Sequence, residues 1–106
     1  MYGGCNIMQN YFSINIDNSY IDRLINQTFS ILPIYEEHGN CEYYENKVNN
    51  LFYKMNGFFK LKSFHSDTTT DILSLLNTLK FSNNHKEVRS CVLKICSLLT
   101  KLKDGE

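Results

Sequence analysis

The sequence predicts an all-α protein: a compact four-helix assembly of two antiparallel helical hairpins, preceded by a short extended segment. Three observations predict this class. Four stretches place apolar residues three or four positions apart, which is the period of one helix face. The connections within each of the two hairpins are short, and the chain has a single proline. With 106 residues it is expected to form one domain, 1–106.

The first element is an extended or loose segment, 1–17, in which three apolar residues alternate as they do in a strand. They are Phe12, Ile14 and Ile16. The first helix is predicted over 19–38, with Ser19 as its N-cap. Its inner face is predicted to consist of Ile21, Leu24, Ile25, Phe29 and Leu32. Pro33 is expected to kink this helix or to end its regular part, and Gly39 is expected to be its C-terminal stop.

The second helix is predicted over 40–56, with Asn40 as its N-cap and Gly57 just beyond its end. Its inner face is predicted to consist of Tyr44, Val48, Leu51, Phe52 and Met55. Because the connection to the first helix is so short, the two helices are expected to form an antiparallel hairpin. The following residues are expected to form an irregular connector over the bundle, which contains Phe58, Phe59, Leu61 and Phe64.

The last two helices are predicted over 67–81 and 84–103. Ser66 or Asp67 is expected to cap the first of them, and Asn84 the second. The inner face of the third helix is predicted to consist of Ile72, Leu75, Leu76 and Leu79. That of the fourth is predicted to consist of Val88, Cys91, Val92, Ile95, Leu98, Leu99 and Leu102. This broad stripe is expected to be core.

Composition favours a folded chain, since hydrophobic residues make up 42% of it and charged residues 21%. No apolar run approaches the roughly 18 residues of a membrane span. The opening stretch "MYGGCNIMQN" lacks the basic start and apolar core of a signal peptide. We therefore expect a cytoplasmic protein without a membrane partner, whose four cysteines are reduced.

No local pattern indicates a chemical site. Cys91 and Cys96 are five positions apart within a predicted helix, whereas structural zinc sites use closely spaced pairs of ligands. His38 and Cys41, in "HGNC", are expected to be turn residues. No glycine-rich loop precedes a helix in the form that phosphate binding requires. We predict that the protein is not an enzyme and has no catalytic residue, metal or cofactor.

Charge is unevenly distributed along the chain. Residues 1–50 contain two basic and six acidic side chains, a net charge of −4, and the remainder contains nine basic and five acidic ones, a net charge of +4. Four of the acids lie with tyrosines around the first helix connection, in "PIYEEHGNCEYYEN". Such a surface suits a protein partner, because tyrosine provides contact area and clustered carboxylates attract a basic protein.

We name this predicted binding surface the acidic turn; it consists of Tyr35, Glu36, Glu37, Glu42, Tyr43 and Glu45. Tyr44 fits the inner stripe and is expected to be core. A solvated surface of mixed charge remains the alternative interpretation. Nucleic-acid binding is disfavoured, because the chain is neutral overall and has no basic cluster or aromatic platform.

Two resemblances follow from quoted segments. "DILSLLNTLKFSNNHKEVRSCVLKICSLL" resembles one hairpin of a HEAT-type repeat, although a solenoid needs about three repeats. "ILPIYEEHG", a second amphipathic helix and "HKEVRSCVLKICSLLTKL" together resemble the small all-helical immunity proteins of bacterial contact-dependent and other polymorphic toxin systems. That resemblance implies a cytoplasmic inhibitor that binds one cognate toxin domain, which is expected to be basic.

Other functions remain open at this point. A phage or mobile-element inhibitor of a host defence complex would use the same kind of surface. A small helical adaptor or oligomerising scaffold, including a homo-oligomer, is the next alternative, and a nucleic-acid-binding regulator is the third.

Overall fold

The computed structural model describes residues 17–62, 64 and 66–104. These residues contain helical segments and no strand, which confirms the all-α class. The segments are α1 (17–29), α2 (Ile31–His38), α3 (Glu42–Leu61), α4 (Asp67–Phe81) and α5 (His85–Lys103). A single residue separates α1 from α2, so the two together form the first of the four predicted helices.

Pro33 explains why the first helix is interrupted. Proline has no backbone N–H, and its ring collides with the carbonyl group four residues earlier, that of Phe29. α1 therefore ends with the Ser30 N–H bonded to the Asn26 carbonyl at 3.1 Å, and α2 begins again at Ile31. Pro33 is then the third residue of α2, where a helix needs no N–H donor. The regular part of the helix thus ends near Pro33, as predicted, and the break itself lies at Ser30.

Two predictions for this helix were wrong. Asp17 is already helical, so Ser19 lies inside α1 and is not its N-cap. Phe29 was assigned to the inner face, but it is 41% exposed, because the break at Ser30 ends the regular face at this point. Apart from Asp17, the predicted extended segment lies outside the described residues.

The range predicted for the second helix, 40–56, ends too early. α3 continues through Gly57 to Leu61, so Phe58 and Phe59 lie on the helix and not in a connector. Both phenylalanines are buried, whereas Leu61 is 79% exposed and does not cover the bundle. A glycine inside a helix costs about 1 kcal/mol, and burying one phenylalanine contributes about 2 kcal/mol or more, so burial outweighs the cost at Gly57.

The helices surround one core. α2 packs against α3, α3 against α4, α4 against α5, and α5 against α2. These contacts close two antiparallel hairpins into a compact assembly, as predicted. The largest fully buried side chains are Tyr44, Ile21, Leu24, Ile31, Met55, Ile72, Leu76, Leu79, Ile95, Leu99, Val48 and Val88. They come from every helix, so the predicted inner faces are largely confirmed.

Two predicted caps are confirmed. The Ser66 hydroxyl accepts a hydrogen bond from the Thr69 backbone N–H, and the Thr69 side chain in turn bonds the Ser66 N–H, which forms a capping box. The Asn84 side-chain oxygen accepts from the backbone N–H groups of Lys86 and Glu87 at 2.9 and 3.2 Å. Both caps involve partners within three residues along the chain.

Candidate functional site

The connection between α2 and α3 is a three-residue turn, Gly39 to Cys41. Gly39 has a φ of 69°, a left-handed conformation that glycine adopts without strain. Its N–H donates to the Tyr35 carbonyl at 2.7 Å, which closes the end of α2. Gly39 is therefore the predicted helix stop, and the two helices that carry the acidic turn reverse direction here.

Asn40 does not have the role predicted for it. Cys41, in an extended conformation, occupies the N-cap position of α3 and makes no side-chain cap bond. The Asn40 side-chain amide instead donates to the carbonyls of Lys80 and Ser82, at 3.2 and 2.6 Å. The last carbonyls of a helix lack intrahelical donors, so a donor from outside α4 is favoured there over a local cap.

Tyr44 makes a second connection to the same helix end. Its ring is fully buried, as predicted, and its hydroxyl donates to the Leu79 carbonyl at 2.6 Å. Burial raises the pKa of this hydroxyl, so Tyr44 stays neutral and able to donate. Tyr35 packs edge-on against Tyr44, with the ring centroids 5.4 Å apart. Asn40 and Tyr44 together hold the α2–α3 turn against the C-terminal end of α4.

The acidic turn lies on this anchored connection. Five of its six residues are exposed, and these are Glu36, Glu37, Glu42, Tyr43 and Glu45. Tyr35 is half-buried, since it packs on Tyr44. Glu36 and Glu37 are at the end of α2, and Glu42 and Glu45 are in the first turn of α3. The structure thus places four exposed carboxylates on the two sides of one three-residue turn.

Tyr43 is supported by neighbours that sequence reasoning did not assign to this surface. Its ring is 49% exposed and meets the His38 ring edge-on at 5.5 Å. The Lys47 ammonium lies 5.7 Å from the ring centroid, within the range of a cation–π contact. The spacing of four residues between Tyr43 and Lys47 was a readable signal, because such pairs are neighbours on a helix.

His85 brings the start of α5 to the same surface. Its Nε2 lies 3.3 Å from Glu36 Oε1, and both side chains are more than half exposed. The His85 ring is also 6.4 Å from the Tyr35 ring. An exposed pair of this kind contributes little to stability. No sequence signal could have paired residues 36 and 85, because α2 and α5 meet only in the folded chain.

The described cysteines are packing groups. Cys91 and Cys96 are buried, Cys41 is partly buried, and all three are free thiols. Burial raises the pKa of the Cys96 thiol to about 11, and it also raises the pKa of Cys91, so both stay protonated at neutral pH. A protonated thiol is a poor nucleophile and metal ligand. Cys5 lies outside the described residues.

Two further properties bear on function. Among residues 17–62, 64 and 66–104, no three side chains of histidine, cysteine, aspartate or glutamate converge where they could hold a metal ion. None of the helices described above is both long enough and apolar enough to cross a membrane.

No protein-family model matches the chain, and comparisons with curated proteins and with solved structures find no similar protein.

Proposed function

We propose that the protein is a protein-binding inhibitor that acts in the cytoplasm, and that it is an immunity protein which neutralises one cognate bacterial toxin domain by direct contact. The acidic turn is the contact surface in this proposal. The observation that carries it is the combination of exposed carboxylates with a turn that is hydrogen-bonded to α4 from both Asn40 and Tyr44.

The negative charge of the acidic turn indicates the class of partner that it binds. Glu36, Glu37, Glu42 and Glu45 flank one turn, and the ammonium group of Lys47 lies over the Tyr43 ring. Clustered carboxylates raise the association rate of a basic protein and can occupy a site built for phosphate. The cognate partner is therefore a basic domain, such as a toxin that acts on nucleic acid.

The hydrogen bonds that fix the α2–α3 turn favour tight binding of a partner by the acidic turn. A loop that must become ordered on binding loses part of its interaction free energy to conformational entropy. The α2–α3 turn is already fixed by hydrogen bonds to the Leu79, Lys80 and Ser82 carbonyls. Tyr43 then offers a half-exposed aromatic ring that needs little reorganisation to pack against a partner.

The alternative functions are less well supported by these contacts. A nucleic-acid-binding regulator would need a surplus of basic side chains, but the chain has no net charge, and Lys62 and Lys103 pair with Asp17 and Asp22 at 3.1 and 3.0 Å. A phage or mobile-element inhibitor of a host defence complex would use the acidic turn in the same way, and the identity of the captured partner separates it from an immunity protein.

The test is affinity capture of a basic partner from native cell lysate, read by mass spectrometry, with a charge-reversed variant beside the wild type. The variant carries Glu36→Lys, Glu37→Lys and Glu45→Lys. We expect the wild type to capture one stoichiometric basic protein, and the variant to lose it mainly through a slower association rate.

A matched control carries Asp22→Lys, Asp67→Lys and Asp104→Lys, which produces the same change in net charge at exposed positions away from the acidic turn. Circular dichroism checks that both variants remain helical. The proposal is contradicted if the acidic-turn variant binds the captured protein with wild-type affinity and rates, or if only nucleic acid is recovered.

A further inference from the structure

A groove of about 390 Å³ runs between α4 and α5, on the side of the bundle. The half-buried side chains of Leu75 and Leu98 give it an apolar floor. Lys94 and Lys101 line it from α5, and Asp71 is its acidic member on α4. The groove therefore combines two ammonium groups and one carboxylate with leucine surface, and we name it the α4–α5 groove.

The two lysines are available for an outside partner. Both are exposed, and neither forms an ion pair within the described part of the chain. Lys62 and Lys103, in contrast, each pair with an aspartate of α1. The positive charge of the α4–α5 groove is therefore left for a carboxylate that comes from elsewhere.

We propose that the α4–α5 groove docks the acidic turn of a second copy of this chain. The two surfaces are complementary in both charge and hydrophobicity. The acidic turn offers four exposed carboxylates and the half-exposed Tyr43 ring, and the groove offers two free ammonium groups and a leucine floor. The chain has no net charge, so whole molecules do not repel each other at neutral pH.

The positions of the two surfaces determine the type of assembly. The acidic turn lies where α2 meets α3, and the groove lies between α4 and α5, so the contact joins two different patches. Such a contact closes into a two-fold dimer if each molecule's acidic turn reaches the other's groove at the same time, and it otherwise produces rings or open chains. A small, exposed and ionic interface is weak and is screened by salt, whose Debye length is about 8 Å at physiological ionic strength.

This contact does not depend on the proposed inhibitor function, but it affects it. One acidic turn cannot contact a groove and a toxin at the same time, so toxin binding and self-association compete. A failure of self-association leaves partner capture untouched, because the experiment below contains this chain alone.

The experiment is sedimentation equilibrium over a range of protein concentrations, at about 10 mM and about 150 mM salt, where the Debye lengths are about 30 and 8 Å. The groove variant carries Lys94→Glu and Lys101→Glu. The acidic-turn variant carries Glu36→Lys, Glu37→Lys and Glu45→Lys. A control with Lys54→Glu and Lys60→Glu makes the same charge change as the groove variant at exposed positions on α3.

We expect the average mass of the wild type to rise with concentration at low salt and to fall when salt is added. Each reversed variant alone should lose at least about tenfold in affinity, since like charges then face each other. An equimolar mixture of the two reversed variants restores opposite charges at both contacts, so association should return. The control should behave as the wild type does.

Two results would overturn the proposal. A wild type that stays monomeric at low salt excludes a second copy as the occupant and leaves the groove to an acidic segment of another protein. Association that survives in both variants, or that does not return in their mixture, places the contact on other surfaces. Circular dichroism of each variant shows whether a loss of association reflects unfolding.

Discussion

The two three-residue turns of this protein are held in different ways. The α4–α5 turn is capped locally, because the Asn84 side-chain oxygen accepts hydrogen bonds from the backbone N–H groups of Lys86 and Glu87, the second and third residues of α5. The α2–α3 turn has no side-chain cap of its own. Its asparagine, Asn40, bonds carbonyls of α4 that are 40 and 42 residues away along the chain.

This difference has a consequence for function. A local cap stabilises one helix end, whereas the Asn40 bonds couple the position of the α2–α3 turn to the C-terminal end of α4. The acidic turn therefore keeps its geometry only as long as α3 and α4 remain packed. Substitutions at the two turns should separate these roles.

Asn40→Ala should have the largest effect. It removes two hydrogen bonds and leaves the Lys80 and Ser82 carbonyls without their donor, so we expect a loss of about 2 kcal/mol in the free energy of unfolding. Urea denaturation measures this loss. A loss of less than about 0.5 kcal/mol in the free energy of unfolding would show that water can replace the Asn40 side-chain amide as the donor to these carbonyls. It would mean that Asn40 does not hold the turn.

Tyr44→Phe should follow, with a loss of about 1.5 kcal/mol, because the buried Leu79 carbonyl loses the short bond from the Tyr44 hydroxyl and keeps only the Ser82 N–H, at 3.2 Å. The same substitution tests a pH dependence. Burial raises the pKa of the Tyr44 hydroxyl in the folded state, so the unfolded chain ionises first, near pH 10.

The stability that the neutral Tyr44 hydroxyl contributes is therefore complete below about pH 10 and falls as the pH rises above that value. Tyr44→Phe should lose less stability than the wild type between neutral pH and about pH 11. Denaturation curves at both pH values test this, and parallel losses in the two proteins would contradict it.

Asn84→Ala should cost about 1 kcal/mol, the usual contribution of an N-cap, and should leave the acidic turn in place. The measurement is again urea denaturation, now compared with Asn40→Ala. If Asn40→Ala and Asn84→Ala lower the free energy of unfolding by the same amount within experimental error, the long-range bonds of Asn40 contribute no more stability than the local cap of Asn84.

Gly57→Ala should have the smallest effect and the opposite sign. Gly57 is exposed inside α3, and a Cβ there would meet nothing within 4 Å. We expect a gain of about 0.5 to 1 kcal/mol, because alanine loses less backbone entropy in a helix. A thermal melt that shows no increase in midpoint would indicate that α3 needs glycine here for a reason outside the described contacts.

The two turns also show how far the sequence could predict the structure. Asn84 and Ser66 were readable as caps because their partners lie within three residues. The partners of Asn40 and Tyr44 are 35 to 42 residues distant and depend on how α3 packs on α4. The exposure of the four carboxylates and Tyr43 in the acidic turn could be predicted, since they flank a short turn, but the half-buried position of Tyr35 and the anchoring of the turn could not.

The length of α3 was mispredicted for a related reason. Gly57 is a plausible helix stop by local propensity, and only the packing of Phe58 and Phe59 shows that the helix must continue. Burial in the folded chain outweighs a local preference of about 1 kcal/mol. Local signals thus located the helices and some of their ends, and long-range contacts decided the rest.

The most direct test of the account is amide hydrogen exchange at the α2–α3 turn, measured by NMR in the wild type, Asn40→Ala and Asn84→Ala. The amides to follow are those of Gly39 and Glu45, which donate to the Tyr35 and Cys41 carbonyls. If α4 holds the turn, both amides are protected in the wild type. They should exchange about 30-fold faster in Asn40→Ala, corresponding to about 2 kcal/mol, and at most about fivefold faster in Asn84→Ala. Equal acceleration in the two variants, or unprotected amides in the wild type, would contradict the claim that the acidic turn is a preformed surface.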